Sequence, residues 1–161
     1  MKNYFQLLEL PENARLDAAH IRQQYFVLQR QFHPDNAKNT QMRLEFLQIS
    51  ADINTAYHIL KDCELRLYYL LKLRGIDILA DNPQDQGIAP SAAVLMEAME
   101  LREEMMEAAT TEQKQQFASK IKLIRDNLLN QAIDLLAKND MQKASNYAIR
   151  LRYISKITNI I

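Results

Sequence analysis

At 161 residues the chain holds one domain of ordinary size or two small ones, each with a modest core. Twenty basic and twenty acidic residues cancel, which removes any global electrostatic reason to bind nucleic acid or an anionic membrane. The lone Cys63 excludes an intrachain disulfide, and with only His20, His33 and His58 scattered along the chain it argues against a zinc or iron-sulfur site and predicts no cofactor. Two glycines and four prolines among abundant Leu, Ile, Ala, Gln, Glu and Lys predict an all-α protein. A short first helix, Tyr4 to Leu8, ends before Pro11 and is too short to persist alone, so Tyr4, Leu7 and Leu8 must pack on the helical hairpin beyond it. Asp17 caps a second helix running to His33, with Ile21, Tyr25, Leu28 and Phe32 as its apolar stripe. Asn36 to Thr40 reads as a polar turn. The next helix, carrying Met42, Phe46, Ile49, Ile53, Tyr57 and Leu60 at helical spacing, runs to about Lys61.

These two stripes make a helical hairpin with His33-Pro34-Asp35 at its tip. Proline disfavours helical dihedrals in the residue before it and offers no amide donor, so the second helix stops at or near His33 and leaves an imidazole and a carboxylate on an exposed bend. Arg22, Phe26, Gln29, Arg30 and His33 share a face beside the core stripe, readable alone as a solvated face and beside the tripeptide as a partner surface. Asp62 caps a fourth helix through Lys72 or Arg74, which Gly75 can terminate. Arg66 on that helix is either a surface charge or a contact to the loop.

Residues 1–72 resemble a J domain, through Tyr4-Phe5-Gln6-Leu7-Leu8, Gln29-Arg30-Gln31-Phe32-His33-Pro34-Asp35, Ile53 to Leu60 and Leu65 to Leu71 in the order that family requires. The resemblance implies that His33, Pro34 and Asp35, with Arg22, Phe26, Gln29 and Arg30, dock onto a seventy-kilodalton heat-shock family chaperone and stimulate its ATPase. The lysine that commonly follows the tripeptide is Asn36 here, which removes one positive charge from the tip.

Residues 75–90 hold both glycines and two of the prolines among Asp77, Asp81, Asn82, Asp85 and Gln86. This compositional break predicts the organisation 1–75, linker 76–90 and 91–161, with Ile76, Ile78 and Leu79 able to pin part of the linker to a neighbouring surface. Three further helices are expected over about Ser91–Ala109, Glu112–Lys138 and Met141–Thr158, with a Thr110/Gln113 capping box and a turn and cap at Asn139-Asp140. The stripes Phe117, Ile121, Ile124, Leu128, Ala132, Leu135 and Ala144, Tyr147, Leu151, Ile154, Ile157, joined by short turns, predict an antiparallel three-helix bundle.

The first bundle helix has too much apolar surface for one stripe. Val94, Ala98, Leu101 and Met105 lie on one side; Leu95, Met96, Met99, Glu103 and Glu107 gather opposite, beside Glu100. Either the helix buries both faces, or the methionine-and-glutamate face meets a partner, which suits the adaptable thioethers and spares the carboxylates an unpaired burial. A J-like segment, a short linker and a helix reading Leu-Met-Glu-x-x-Glu-Leu-Arg-Glu-Glu together resemble the HscB family of iron-sulfur cluster assembly co-chaperones over nearly the whole chain. The resemblance implies that Leu95, Met96, Met99, Glu100, Glu103, Glu107 and Tyr153 bind the iron-sulfur cluster scaffold protein and present it to the specialised chaperone. The paired-cysteine extension of some eukaryotic relatives is absent, which favours the bacterial type.

No apolar run approaches the ~20 residues needed to cross a bilayer, and the start lacks a secretory core, so the cytoplasm is the expected location. Two other readings compete. His33 and Asp35 would serve an enzyme as a proton-transfer pair, but no nucleophile motif, glycine-rich phosphate loop or ligand cluster accompanies them. A J-type helper for a different client would use the bundle for another interface.

Overall fold

The computed structural model describes residues 3–80 and 88–158. Among them every extended regular element is helical: α1 (Tyr4–Leu7), α2 (Ala18–Gln31), a 3-10 turn (Pro34–Asn36), α3 (Thr40–Lys61), α4 (Cys63–Leu73), α5 (Ala92–Glu107), α6 (Thr111–Ala137) and α7 (Met141–Thr158). The chain forms two compact units, Met1–Arg66 and Leu67–Ile161, so the division falls inside α4.

In the first unit, α1 is fixed by reciprocal bonds at Asn3: its carboxamide oxygen accepts the Gln6 N–H at 2.9 Å, and its own N–H donates to Gln6 Oε1 at 3.2 Å. The helix closes with Leu10 N–H on the Phe5 carbonyl and Glu9 N–H on that of Gln6, a reversal that places Glu9 at φ 55°. α1 packs on α3. Its deeply buried residues are Phe5 and Leu8, followed by Leu10, whereas Tyr4 and Leu7 are only half-buried. The spacing of Tyr4, Leu7 and Leu8 therefore places the inward face slightly off its true position, because a single turn leaves Phe5 free to take the deep site.

α2 starts on the Asp17 carboxylate, which accepts the His20 N–H, and ends at Gln31, two residues before His33. α3 starts on Asn39, whose side chain accepts the Met42 N–H. Ile21 and Leu28 on α2 and Ile53, Ala56 and Leu60 on α3 are buried, and Tyr25 stacks on Tyr57 with ring centroids 4.1 Å apart. Burial thins toward the tip, where Phe32 meets Phe46 edge to face at 5.5 Å and both are half-exposed.

Asp62 begins α4 by accepting the N–H groups of Glu64 and Leu65. Arg66 is no surface charge: it is 3% exposed, with Nε donating to the Ala14 carbonyl at 2.9 Å, Nη1 to Leu60 at 2.5 Å and Nη2 facing Cys63 Sγ. It thus ties the α1–α2 loop to the end of α3.

In the second unit Gly75 ends α4 at φ 85°, donating its N–H to the Lys72 carbonyl. Of the expected linker, residues 81–87 lie outside the described residues. The preceding residues are held: Ile78 is 2% exposed, Asp77 accepts the Leu79 and Ala80 N–H groups and pairs with Lys72 at 2.6 Å, and Arg152 on α7 donates to the Ile78 carbonyl at 2.6 Å. Ile76 is half-buried and Leu79 exposed. α5, α6 and α7 form the antiparallel three-helix bundle, α6 packing most extensively on α7 and α5 packing more on α7 than on α6. Thr110 and Gln113 make their capping box, and Asn139, at φ 61°, turns the chain into the Asp140 cap of α7. The core stripes are wider than a single file: Ile133, Leu136, Ala148 and Ile149 are buried, while Ile124, Leu135 and Tyr147 are half-buried.

Candidate functional site

Two surfaces carry the residues singled out in the sequence, one on each unit. At the hairpin tip, His33 leaves the helix with extended dihedrals (φ −65°, ψ 133°), and Pro34, with its φ already suited to it, opens the 3-10 turn. His33 Nδ1 accepts the Asp35 N–H at 3.3 Å and lies 3.5 Å from Asp35 Oδ2. The first contact needs a bare Nδ1 and the second an Nδ1 that carries a proton. A neutral ring that accepts at Nδ1 carries its proton on Nε2, whereas the other neutral tautomer and the charged ring both make Nδ1 a donor toward the carboxylate. His33 and Asp35 side chains are 57% and 77% exposed, so both are available to a partner.

The residue after the tripeptide has a structural task of its own. Asn36 Nδ2 donates to the Arg30 carbonyl at 2.8 Å, satisfying one of the orphan carbonyls at the end of α2. Where a lysine would add charge, Asn36 anchors the turn. Nothing local in the sequence announces this bond, which spans the bend.

Arg22, Phe26 and Arg30 are placed along α2, with the Arg22 guanidinium 5.6 Å from the Phe26 ring centroid and Phe26 51% exposed. Gln29 is different. Its Nε2 donates to the Ser50 carbonyl at 3.1 Å and to Asn54 Oδ1 at 2.8 Å, and its Oε1 accepts from Ser50 Oγ at 2.8 Å. The amide is engaged within the hairpin, where Tyr25 OH also donates to Asn54.

On α5, Leu95, Met96 and Met99 are 41%, 61% and 62% exposed, and Glu100, Glu103 and Glu107 are exposed beside them. The inward side is Val94, Ala98, Leu101 and Met105, of which only Leu101 is buried and the others are half-buried. The helix therefore does not bury both faces. Glu97, adjoining the inward stripe, meets Arg150 of α7 through two bonds, to Nε at 2.6 Å and Nη2 at 2.5 Å. Hydrogen bonding to that carboxylate holds Arg150 above the ordinary guanidinium range despite the opposing effect of burial. Tyr153, one turn beyond Arg150, is half-buried, with Lys156 Nζ 5.3 Å from its ring centroid. Sequence reasoning missed the Glu97–Arg150 pair, since partners this far apart in the chain leave no periodic signal.

Known proteins share both halves of this arrangement. A DnaJ domain model matches residues 3–69, and a model described as the HSCB C-terminal oligomerisation domain matches residues 90–161. A relative from Vibrio cholerae, named a co-chaperone protein HscB homolog, is 34% identical over 163 residues, covering 98% of this chain and 93% of its own length. The solved structure of the chaperone HscB from Vibrio cholerae superposes with a TM-score of 0.83 at 33% identity, covering 99% of this chain and 94% of that one. The crystal structure of human co-chaperone protein HscB gives a TM-score of 0.87 at 26% identity, covering 99% and 80%.

Proposed function

The chain belongs to the HscB family of co-chaperones of iron-sulfur cluster assembly, and we propose that it works without catalysis of its own, by holding two proteins at once. Residues 1–75 engage a seventy-kilodalton heat-shock family chaperone through His33, Pro34 and Asp35, flanked by Arg22, Phe26 and Arg30, with Gln29 setting α2 against α3. Residues 91–161 engage the iron-sulfur scaffold protein through Leu95, Met96, Met99, Glu100, Glu103 and Glu107 of α5, together with Tyr153 of α7. The cluster on the scaffold is cargo.

The observation that carries the second half is the exposure of Leu95, Met96 and Met99 on one helix, at 41%, 61% and 62%. Unbranched thioethers flanked by carboxylates suit an adaptable protein surface with a basic rim. For the first half, a tip whose imidazole and carboxylate are exposed on a turn held by Asn36 offers a preorganised contact. Such a contact accelerates a partner's ATP hydrolysis only by binding its hydrolysis-competent state better than its resting state.

The test is the chaperone's ATPase rate with scaffold alone, with this protein alone and with both. Simultaneous engagement predicts a rate well above the sum of the separate stimulations. Simple additivity would overturn delivery of the scaffold to the chaperone.

A further inference from the structure

α5 is a helix whose rotation about its own axis is weakly determined by apolar burial. Its inward side keeps one buried residue, Leu101, while Leu95, Met96, Met99 and Met106 remain exposed elsewhere on the helix. A helix with two apolar sides of similar strength gains from burying either one. Something other than burial must select the side that faces solvent.

The polar contacts of α5 supply that selection. Glu97 and Arg150 join carboxylate to guanidinium through two bonds at 2.6 and 2.5 Å, with side chains 27% and 40% exposed. A planar fork on a planar fork tolerates little rotation of either partner. Lys120 and Glu104 add a single contact at 2.6 Å between more exposed side chains, 49% and 47%, which pins the far end of the helix less sharply. Rotating α5 by about 100°, the angle between successive residues, would carry Glu97 away from Arg150. A larger roll would bring Glu100, Glu103 and Glu107 against the bundle, where burial of their carboxylates is costly.

We propose that the Glu97–Arg150 pair is the rotational lock of α5, a positioning pair that keeps Leu95, Met96 and Met99 facing outward for the scaffold protein. Its part in binding rests on the reading of α5 as the scaffold-facing helix; its part in holding the helix does not. In some proteins an ion pair or polar group withdrawn from water selects one packing among several without adding stability.

Two readouts on the full chain separate these points. Limited oxidation with hydrogen peroxide, followed residue by residue by mass spectrometry without scaffold, reports which methionines are accessible; titration with purified scaffold protein reports affinity. In Arg150→Met, oxidation of Met96 and Met99 should slow several-fold relative to Met42 in the first unit, oxidation of Met105 should rise, and the scaffold Kd should increase about tenfold or more. Glu97→Gln, nearly isosteric, should do the same and keeps the test sound if Arg150→Met loses its helical circular dichroism. The double variant should be no worse than either single one, because all three break one pair. Unchanged methionine oxidation overturns the lock whatever the affinity does, and so do additive effects of the two substitutions. Altered oxidation with unchanged scaffold affinity upholds the lock and overturns instead the assignment of α5 to the scaffold.

Discussion

His33 and Arg66 represent opposite relations between a charged side chain and its surroundings. His33 is exposed and its bonds stay within the tip turn, so His33→Gln should leave the thermal unfolding curve nearly unchanged while abolishing stimulation of the chaperone's ATPase. A fully active variant would remove the tip from the mechanism. Arg66 is buried and serves the Ala14 and Leu60 carbonyls, so Arg66→Ala should lower unfolding free energy by about 3 kcal/mol, measured by urea titration, because two acceptors lose their donor at once. Arg66→Lys should recover only part of that loss, since an ammonium cannot reproduce the guanidinium fork. Asn36, standing where lysine commonly follows the tripeptide, exchanges a charge for a bond to the Arg30 carbonyl.

Among the elements, the segment after α4 shows how a polar stretch becomes ordered without regular structure. Asp77 gathers the Leu79 and Ala80 N–H groups and the Lys72 ammonium, and Arg152 takes the Ile78 carbonyl. Burial raises the Asp77 pKa, but the Lys72 ion pair and the two backbone donors outweigh it, so the carboxyl sits below its ordinary 3.8. A depressed folded-state pKa contributes stability that is complete above the unfolded value and disappears as the pH falls through the folded one. The stability difference between the wild type and Asp77→Asn should therefore be constant from neutrality down to about pH 4 and shrink below it, read from urea titrations at each pH. A difference that persisted unchanged at pH 2 would mean that the carboxylate's charge contributes nothing. α5 behaves differently again: its capping at Ser91 is local, but its orientation depends on a partner on α7.

For the molecule as a whole, the two surfaces should fail separately. Replacing Leu95, Met96 and Met99 together by alanine removes exposed side chains, so folding should persist while scaffold affinity falls about a hundredfold by titration calorimetry. Stimulation of the chaperone by the protein alone should survive that change and vanish in His33→Gln, whose scaffold affinity should remain. Loss of both functions in either variant would contradict the division of labour.

Much of this was legible in the chain itself. Helix starts at Asp17, Asp62 and Thr110, the break at Pro34 and the stop at Gly75 rest on interactions spanning a few residues, which sequence displays directly. The same holds for the apolar stripes of α2, α3, α6 and α7, whose period states which side is inward. What only the tertiary structure decided concerns groups whose partners lie far along the chain: the burial of Arg66 on the Ala14 carbonyl, the engagement of Gln29 with Ser50 and Asn54, the hold of Arg152 on residues 78–80, and the Glu97–Arg150 pair. Periodicity offered α5 two apolar faces and no way to rank them, because burial is a property of neighbours and not of spacing. The tertiary structure turns Leu101 inward and leaves Leu95, Met96 and Met99 exposed.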